Sequence, residues 1–135
     1  MKSKKFVDQR GKLIKWTLNS SFKVNEIFMI SDVPVGTIRG EHAHKHCDQE
    51  IILLKGLLKV VKEDLAGQQE FLLNEESGSL HLPRMTWSQQ IFLSEDTEVI
   101  VLSSLDYDEN DYIRDYSEFK ALIQINSNLS SRQPK

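Results

Sequence analysis

His42 and His44, one residue apart, are the side chains whose spacing best suits shared chemistry. In an extended strand, residues i and i+2 point to the same face, so two imidazoles project into one space. An imidazole titrates near neutrality, works as general acid or base, and is the commonest metal ligand. The pair therefore reads as either a metal site or a proton-transfer site. Arg39, three residues upstream, is a candidate to hold an anionic or enolate-like oxygen.

The elements that must hold these residues follow from alternation and turn residues. Asp8-Gln9-Arg10-Gly11 is a turn signal and predicts a hairpin over Phe6 to Trp16. Asn19-Ser20-Ser21 marks a break. Phe22 to Ser31 predicts an extended segment, with Ile27-Phe28-Met29-Ile30 expected to be buried on both faces. Asp32, Pro34 and Gly36 predict a loop leading into the histidine strand. Further strands are expected over Gln49 to Lys55, Leu57 to Lys62, Gln68 to Leu73, Ser79 to Pro83, Thr86 to Phe92 and Glu98 to Ser103. Short strands at this spacing predict an all-β sandwich or barrel. Near the C-terminus, Ser117 to Ile123 predicts a short helix capped by Ser117 or Asp115. The expected organisation is one β-barrel domain over 1–125 and a flexible tail over 126–135.

Composition narrows the function classes. A chain of 135 residues suits one domain and can bury a core without disulfides or metal. A net charge of -3 argues against nucleic-acid binding, and the small basic cluster Lys2, Lys4, Lys5 reads as a solvated terminus. The single cysteine, Cys47, allows no intrachain disulfide and reads as a spare thiol rather than a nucleophile. No apolar run has the length of a signal-peptide core or a membrane span, so no membrane partner and a cytoplasmic location are expected.

Gly36-x5-His42-x-His44, with Gly56 downstream, resembles the first motif of the cupin superfamily. The resemblance implies a jelly-roll barrel, the double-stranded β-helix. In metal-binding cupins a glutamate follows the two histidines, and Gln49 stands in its place. A neutral amide is a poor replacement for an anionic ligand. Glu50 is adjacent, but a shift of one residue turns its side chain to the opposite face. Gly78 and Pro83 fit the second cupin motif, where Ser88 replaces the third histidine. Catalytic metals usually keep three protein ligands, so no resident metal is expected. His46 and His81 remain the candidates to complete a metal site.

Two longer stretches are more specific. Arg39-Gly40-Glu41-His42-Ala43-His44-Lys45 resembles the RG-x-HAHK signature of the sugar 3,4-ketoisomerases, a group of WxcM-like cupins. Tyr107 to Phe119, reading YDENDYIRDYSEF, resembles the ending of the same family. The resemblance implies an isomerase acting on dTDP-4-keto-6-deoxyglucose, which moves the carbonyl from C4 to C3 without cofactor. It makes His44 the base, His42 the proton shuttle or acid, and Arg39 the group that stabilises the intermediate. Arg114 would meet the diphosphate, and Gln49 and Tyr112 would touch substrate. Trp87 either stacks on the substrate or belongs to the core. The family implies a homodimer that exchanges N-terminal strands. The chain departs from the family at Phe28 and Met29, where a tyrosine is often found, and at Ser88, where a histidine often follows the tryptophan. Tyr107, Tyr112 and Tyr116 are the candidate replacement phenols. The competing readings are a non-catalytic nucleotide-sugar-binding cupin, a metal-dependent cupin and a 3,5-epimerase.

Overall fold

The computed structural model describes residues 2–18 and 22–132. The expected hairpin is present as β1 (Lys2–Asp8) and β2 (Gly11–Thr17). Asp8 fixes its turn by accepting from the Arg10 backbone N–H at 2.8 Å and from the Arg10 guanidinium. This hairpin is a two-stranded sheet of its own. The break expected at Asn19-Ser20-Ser21 lies outside the described residues.

The other strands form two antiparallel sheets, and residues of both meet in one core. Across the four-stranded sheet the order is β3 (Glu26–Ile30), β10 (Glu98–Ser103), β5 (Gln49–Lys55) and β8 (Ser79–Leu82). Across the five-stranded sheet it is β11 (Tyr112–Ile113), β4 (Ile38–His44), β9 (Trp87–Phe92), β6 (Leu58–Asp64) and β7 (Gly67–Leu73). Ile51, Leu53, Leu58, Val60, Phe92 and Val99 fill the space between them with almost no exposure. The alternation and turn spacing predict an all-β sandwich or barrel, and this is the jelly-roll barrel that the cupin resemblance implies. Gly56 is required in the β5–β6 turn. Its φ is +93°, and a Cβ there would lie 2.5 Å from Thr97 Cα.

Two expectations are corrected. Ile27, Phe28 and Met29 are exposed rather than buried on both faces, because β3 is an edge strand whose outer side has no layer over it. The C-terminal helix α1 runs from Tyr116 to Arg132, so the stretch expected to be a tail from Asn126 is helical to Arg132. Once a helix is nucleated, each added residue costs little and gains one backbone bond, so a polar sequence prolongs it. The rest of the expected tail, 133–135, lies outside the described residues.

Helix α1 is held at its start. Asp115 caps it by accepting from the Glu118 backbone N–H at 2.9 Å. Buried Glu63 on β6 accepts from Tyr116 Oη at 2.8 Å and Lys120 Nζ at 3.0 Å. Phe119 and Ile123 then pack on Ala43, Trp87 and Ile113, a second core on the outer face of the five-stranded sheet. One face of β4 is thereby committed to the helix, and its other face is left for chemistry.

Candidate active site

Strand β4 departs from regular pairing where it matters. Arg39 pairs with Gln90 and His42 with Ser88, so three steps on β4 match two on β9. In a regular strand, residues three apart point to opposite faces. The extra residue of this bulge brings Arg39 and His42 to the same face. Gly40 permits it: its φ is +68°, and a Cβ would press to 3.1 Å from Gln90 Nε2. Arg39 and His42 accordingly line one cavity of about 400 Å³, together with Gln49, Gln90, Tyr112 and Arg114.

Three rings cluster at the inner end of the cavity. The His42 and His44 centroids are 4.9 Å apart with the rings perpendicular. The Tyr112 ring lies 4.8 Å from that of His42 and 4.3 Å from that of His44. It reaches them because the two-residue strand β11 pairs Tyr112 directly with His44. The Arg114 guanidinium covers Tyr112 at 4.3 Å, a cation–π contact. Arg114 is also gripped by Glu109, from Nε at 2.6 Å and Nη2 at 2.8 Å. Tyr107 Oη donates to the same carboxylate at 2.6 Å.

His44 lies a layer deeper than His42. Its Nδ1 donates to Asp111 Oδ2 at 3.0 Å, and both side chains are buried. The Asp111 carboxylate also accepts from the backbone N–H groups of His46 at 2.7 Å and Cys47 at 3.2 Å. The His44 carbonyl accepts from Met85 N at 2.7 Å, which ties the end of β4 to the β8–β9 loop. With the proton on Nδ1, Nε2 is the acceptor, and no protein group within the described residues bonds it. His44 faces a chamber of about 10 Å³, room for a single water. Phe28, Gln49 and Tyr112 are walls of both this chamber and the larger cavity.

Burial keeps both rings neutral. It pulls His42 down to about 4, helped by the neighbouring His44 and by Arg114. Burial also lowers His44, opposed by its bond to Asp111. Glu109 falls to about 2 because Arg114 and Tyr107 bond its charged form. Burial raises the Tyr112 phenol, partly offset by Arg114. The result is one proton acceptor, His42, a protonated phenol and two guanidinium groups around the larger cavity, with His44 in the small chamber behind the wall they share.

The sequence-predicted residues separate accordingly. Arg39, His42, His44, Gln49, Tyr112 and Arg114 are brought together. Gln49 is buried and donates to Ser103 Oγ at 3.0 Å, while Glu50 turns to the opposite face and accepts from Ser79 Oγ. Trp87 is not in the cavity. It follows the alternation of β9, opposite in direction to Ser88, and packs under α1 against Phe119 and Tyr116. The expected stacking on substrate therefore gives way to its alternative, a core tryptophan. Tyr116 is committed to Glu63, and Tyr107 to Glu109, which leaves Tyr112 as the phenol beside the histidines. His46 is exposed in the loop after β4, and His81 stacks on Phe22, away from the pair. Arg84 binds Asp48 at 2.9 Å. Three participants were missed: Asp111, Gln90 and Glu109. Asp111 and Glu109 lay inside the quoted YDENDYIR stretch, but only the fold shows which acid reaches His44.

A jelly-roll barrel with a buried His–Asp pair, a second histidine and cationic walls gives a cupin-type site whose groups can carry protons. Comparison with known proteins agrees. The family described as "FdtA: WxcM-like, C-terminal" matches residues 1–124, and the chain belongs to this family of isomerases. It is 35% identical over 122 residues to the TDP-4-oxo-6-deoxy-alpha-D-glucose-3,4-oxoisomerase of Aneurinibacillus thermoaerophilus, covering 89% of this chain and 88% of that one. The sugar 3,4-ketoisomerase QdtA of Thermoanaerobacterium thermosaccharolyticum, solved in complex with TDP, superposes with a TM-score of 0.82 at 28% identity, over 93% of each chain. A 3,4-ketoisomerase from Helicobacter canadensis superposes with a TM-score of 0.81 at 31% identity, over 91% of this chain and 94% of that one.

Proposed function

We propose that this isomerase converts dTDP-4-keto-6-deoxyglucose into the corresponding dTDP-3-keto-6-deoxyhexose by proton transfer alone. The observation that carries the reading is His44: its Nδ1 proton is committed to Asp111 while its Nε2 is buried and free to accept. The names of the relatives supply the substrate class.

The residues then have these roles. His44 Nε2 takes the C3 proton, and the C3–H electron pair becomes the C3=C4 double bond of an enediolate with the charge on O4. Arg39, which lines the cavity beside His42, stabilises that charge. His42, 4.9 Å from His44, moves the hydroxyl proton from O3 to O4. Reprotonation at C4 leaves the carbonyl at C3, so atoms and electrons balance without an oxidant. Gln49 orients the sugar from the wall shared by the two spaces, and Arg114 forks the diphosphate. The 10 Å³ chamber is too small for a sugar, so the sugar stays in the 400 Å³ cavity and the shared wall opens only far enough to bring it to His44 Nε2. Tyr112 is the member that moves, because its two-residue strand sits at the sheet edge. Closing the wall again would exclude water from the enediolate.

The second copy follows from the N-terminal hairpin. Phe6, Val7 and Leu13 are exposed on a sheet that, among the described residues, pairs with no strand of the barrel. A homodimer exchanging N-terminal strands would cover them. Sedimentation of Phe6→Asp/Leu13→Asp should shift a dimer to a monomer. We place the reaction in the cytoplasm. Cys47 is a free thiol, and among the described residues no helix is long and apolar enough to cross a membrane.

The test is NMR of the sugar in deuterated water with the purified protein. Carbonyl migration from C4 to C3 supports the isomerase. Deuterium at C3 and C5 without migration identifies an epimerase, and saturable binding without exchange identifies a binding module. His44→Ala should abolish migration and keep the fold; turnover in that variant assigns the base elsewhere.

A further inference from the structure

Beside the substrate cavity, three buried side chains turn unlike donors toward one point. A ring nitrogen of His44, Cys47 Sγ and an Asp111 carboxylate oxygen lie within 4.8 Å of one another, and it is Nδ1 that meets the carboxylate. Nitrogen, thiolate and carboxylate are the donor types that bind zinc. We infer that this cluster is a Zn²⁺ site, and that its occupation switches off proton abstraction by His44. The second clause rests on the reading of His44 as the base.

Geometry supports the site. Two metal–ligand bonds of about 2.1 Å at a tetrahedral angle set their donor atoms about 3.4 Å apart. His44 Nδ1 and Asp111 Oδ2 stand at 3.0 Å and need a few tenths of an ångström of opening, while Cys47 Sγ, within 4.8 Å of the other donors, closes in on the ion. The carboxylate is already aimed by the backbone N–H groups of His46 and Cys47. Such outer bonds orient a ligand before the metal arrives. The adjoining chamber, walled by His44, Cys47, Asp111 and Gln49, has room for one water as a fourth ligand. Neither Cys47 nor Asp111 lines the 400 Å³ cavity, so the ion would not occupy the substrate's place.

The effect on chemistry follows from the tautomer. In the metal-free state Nδ1 carries the proton and Nε2 the lone pair. Zinc takes the Nδ1 lone pair, so the proton of the neutral ring moves to Nε2. The Cys47 thiol proton goes to solvent, and one proton is released per ion. Nε2 is then a donor and cannot accept the substrate proton. Inhibition by this route lowers kcat and leaves KM unchanged. An ion bound from the cavity side at His42 would instead compete with substrate.

The test uses the full chain stripped with a chelator, then titrated with Co²⁺ and with Zn²⁺. Co²⁺ should give the near-ultraviolet thiolate-to-metal band, and calorimetry in buffers of different ionisation enthalpy should report one proton released. Zn²⁺ should lower kcat without substrate protection. Cys47→Ser and Cys47→Ala, assayed in chelator, should retain basal turnover. They should lose zinc sensitivity by at least the roughly 10- to 100-fold that loss of an outer-shell partner costs. His46→Ala should inhibit like the parent protein. Absence of the thiolate band in the parent overturns the site, whatever the variants do. Competitive inhibition, or equal sensitivity in folded Cys47 variants, overturns it too. A thiolate band with undiminished turnover leaves the site standing and removes His44 as the base.

Discussion

Nδ1 of His44 and Oδ2 of Asp111 meet at 3.0 Å in a part of the molecule where both side chains are buried. The carboxylate can only accept, so it selects the tautomer with Nε2 unprotonated. Asp111→Asn replaces one acceptor oxygen with a donor and favours the opposite tautomer. We expect kcat to fall by about 10²- to 10⁴-fold, the range spanned by general-base catalysis and by the equivalent change in a serine protease triad. KM should change only a few-fold, because Asp111 does not line the substrate cavity. Steady-state kinetics with ¹⁵N NMR of the imidazole checks both parts, since a purely structural role would leave the tautomer unmoved.

The two buried rings also make stability depend on pH. His42 is lowered from 6.5 to about 4, and His44 is lowered in the same direction. Above pH 6.5 both are neutral in folded and unfolded chains alike, and the native state suffers no penalty. As pH falls from 6.5 to 4, the unfolded chain binds protons that the folded one refuses, so stability falls. For His42 the loss approaches roughly 3 kcal/mol at 1.36 kcal/mol per unit. Urea midpoints measured from pH 7 to pH 4.5 should decline, and His42→Asn should flatten the decline. Activity should extend below pH 6.5 before its acid limb begins.

Trp87 provides a prediction with the opposite sign for function. It is 8% exposed and packs on Phe119 and Tyr116 beneath α1. Trp87→Ala should cost about 3–5 kcal/mol, as large aromatic truncations do. Trp87→Phe should keep kcat/KM within a few-fold in a thermally weakened protein. A large rise in KM with an unchanged melting temperature would return Trp87 to the substrate.

Much of this was legible in the sequence because it depends on local rules. Turn residues and short apolar runs located β2 through β10, but β1 only from Phe6, since the basic stretch read as a solvated terminus is its first half; the i, i+2 spacing correctly paired His42 with His44. The shift argument also put Gln49 and Glu50 on opposite faces, as found. What failed depends on partners distant in the chain. The exposure of Ile27 and Met29 is set by β3 being an edge, which strand order decides and alternation does not. The bulge at Gly40 needs the register with β9. Asp111 reaches His44 across 67 residues, and nothing in YDENDYIRD distinguishes it from Asp108 or Asp115. Trp87 is a matter of phase: its neighbour Ser88 pairs with His42, so the tryptophan must face the helix.

Arg114 and Glu109 carry the remaining prediction. The guanidinium fork that suits a diphosphate is occupied by a carboxylate, with side chains 52% and 56% exposed. An ion pair that open to solvent contributes little to the fold, so it can be exchanged for a better anion. Glu109 stays charged down to about 2, and the bond raises Arg114 further, so protonation does not release the pair at working pH. On the proposed role of Arg114, the diphosphate must displace it. Glu109→Gln removes the competing charge and should lower KM by about 2- to 5-fold with kcat unchanged, the small factor expected of an exposed pair. Arg114→Lys should raise KM by about 10-fold or more, because a point charge cannot replace a bidentate fork. If Glu109→Gln raises KM instead, the carboxylate is aiming Arg114 over Tyr112 rather than competing for it. Its partner's cation–π contact at 4.3 Å would then be the geometry that the diphosphate meets.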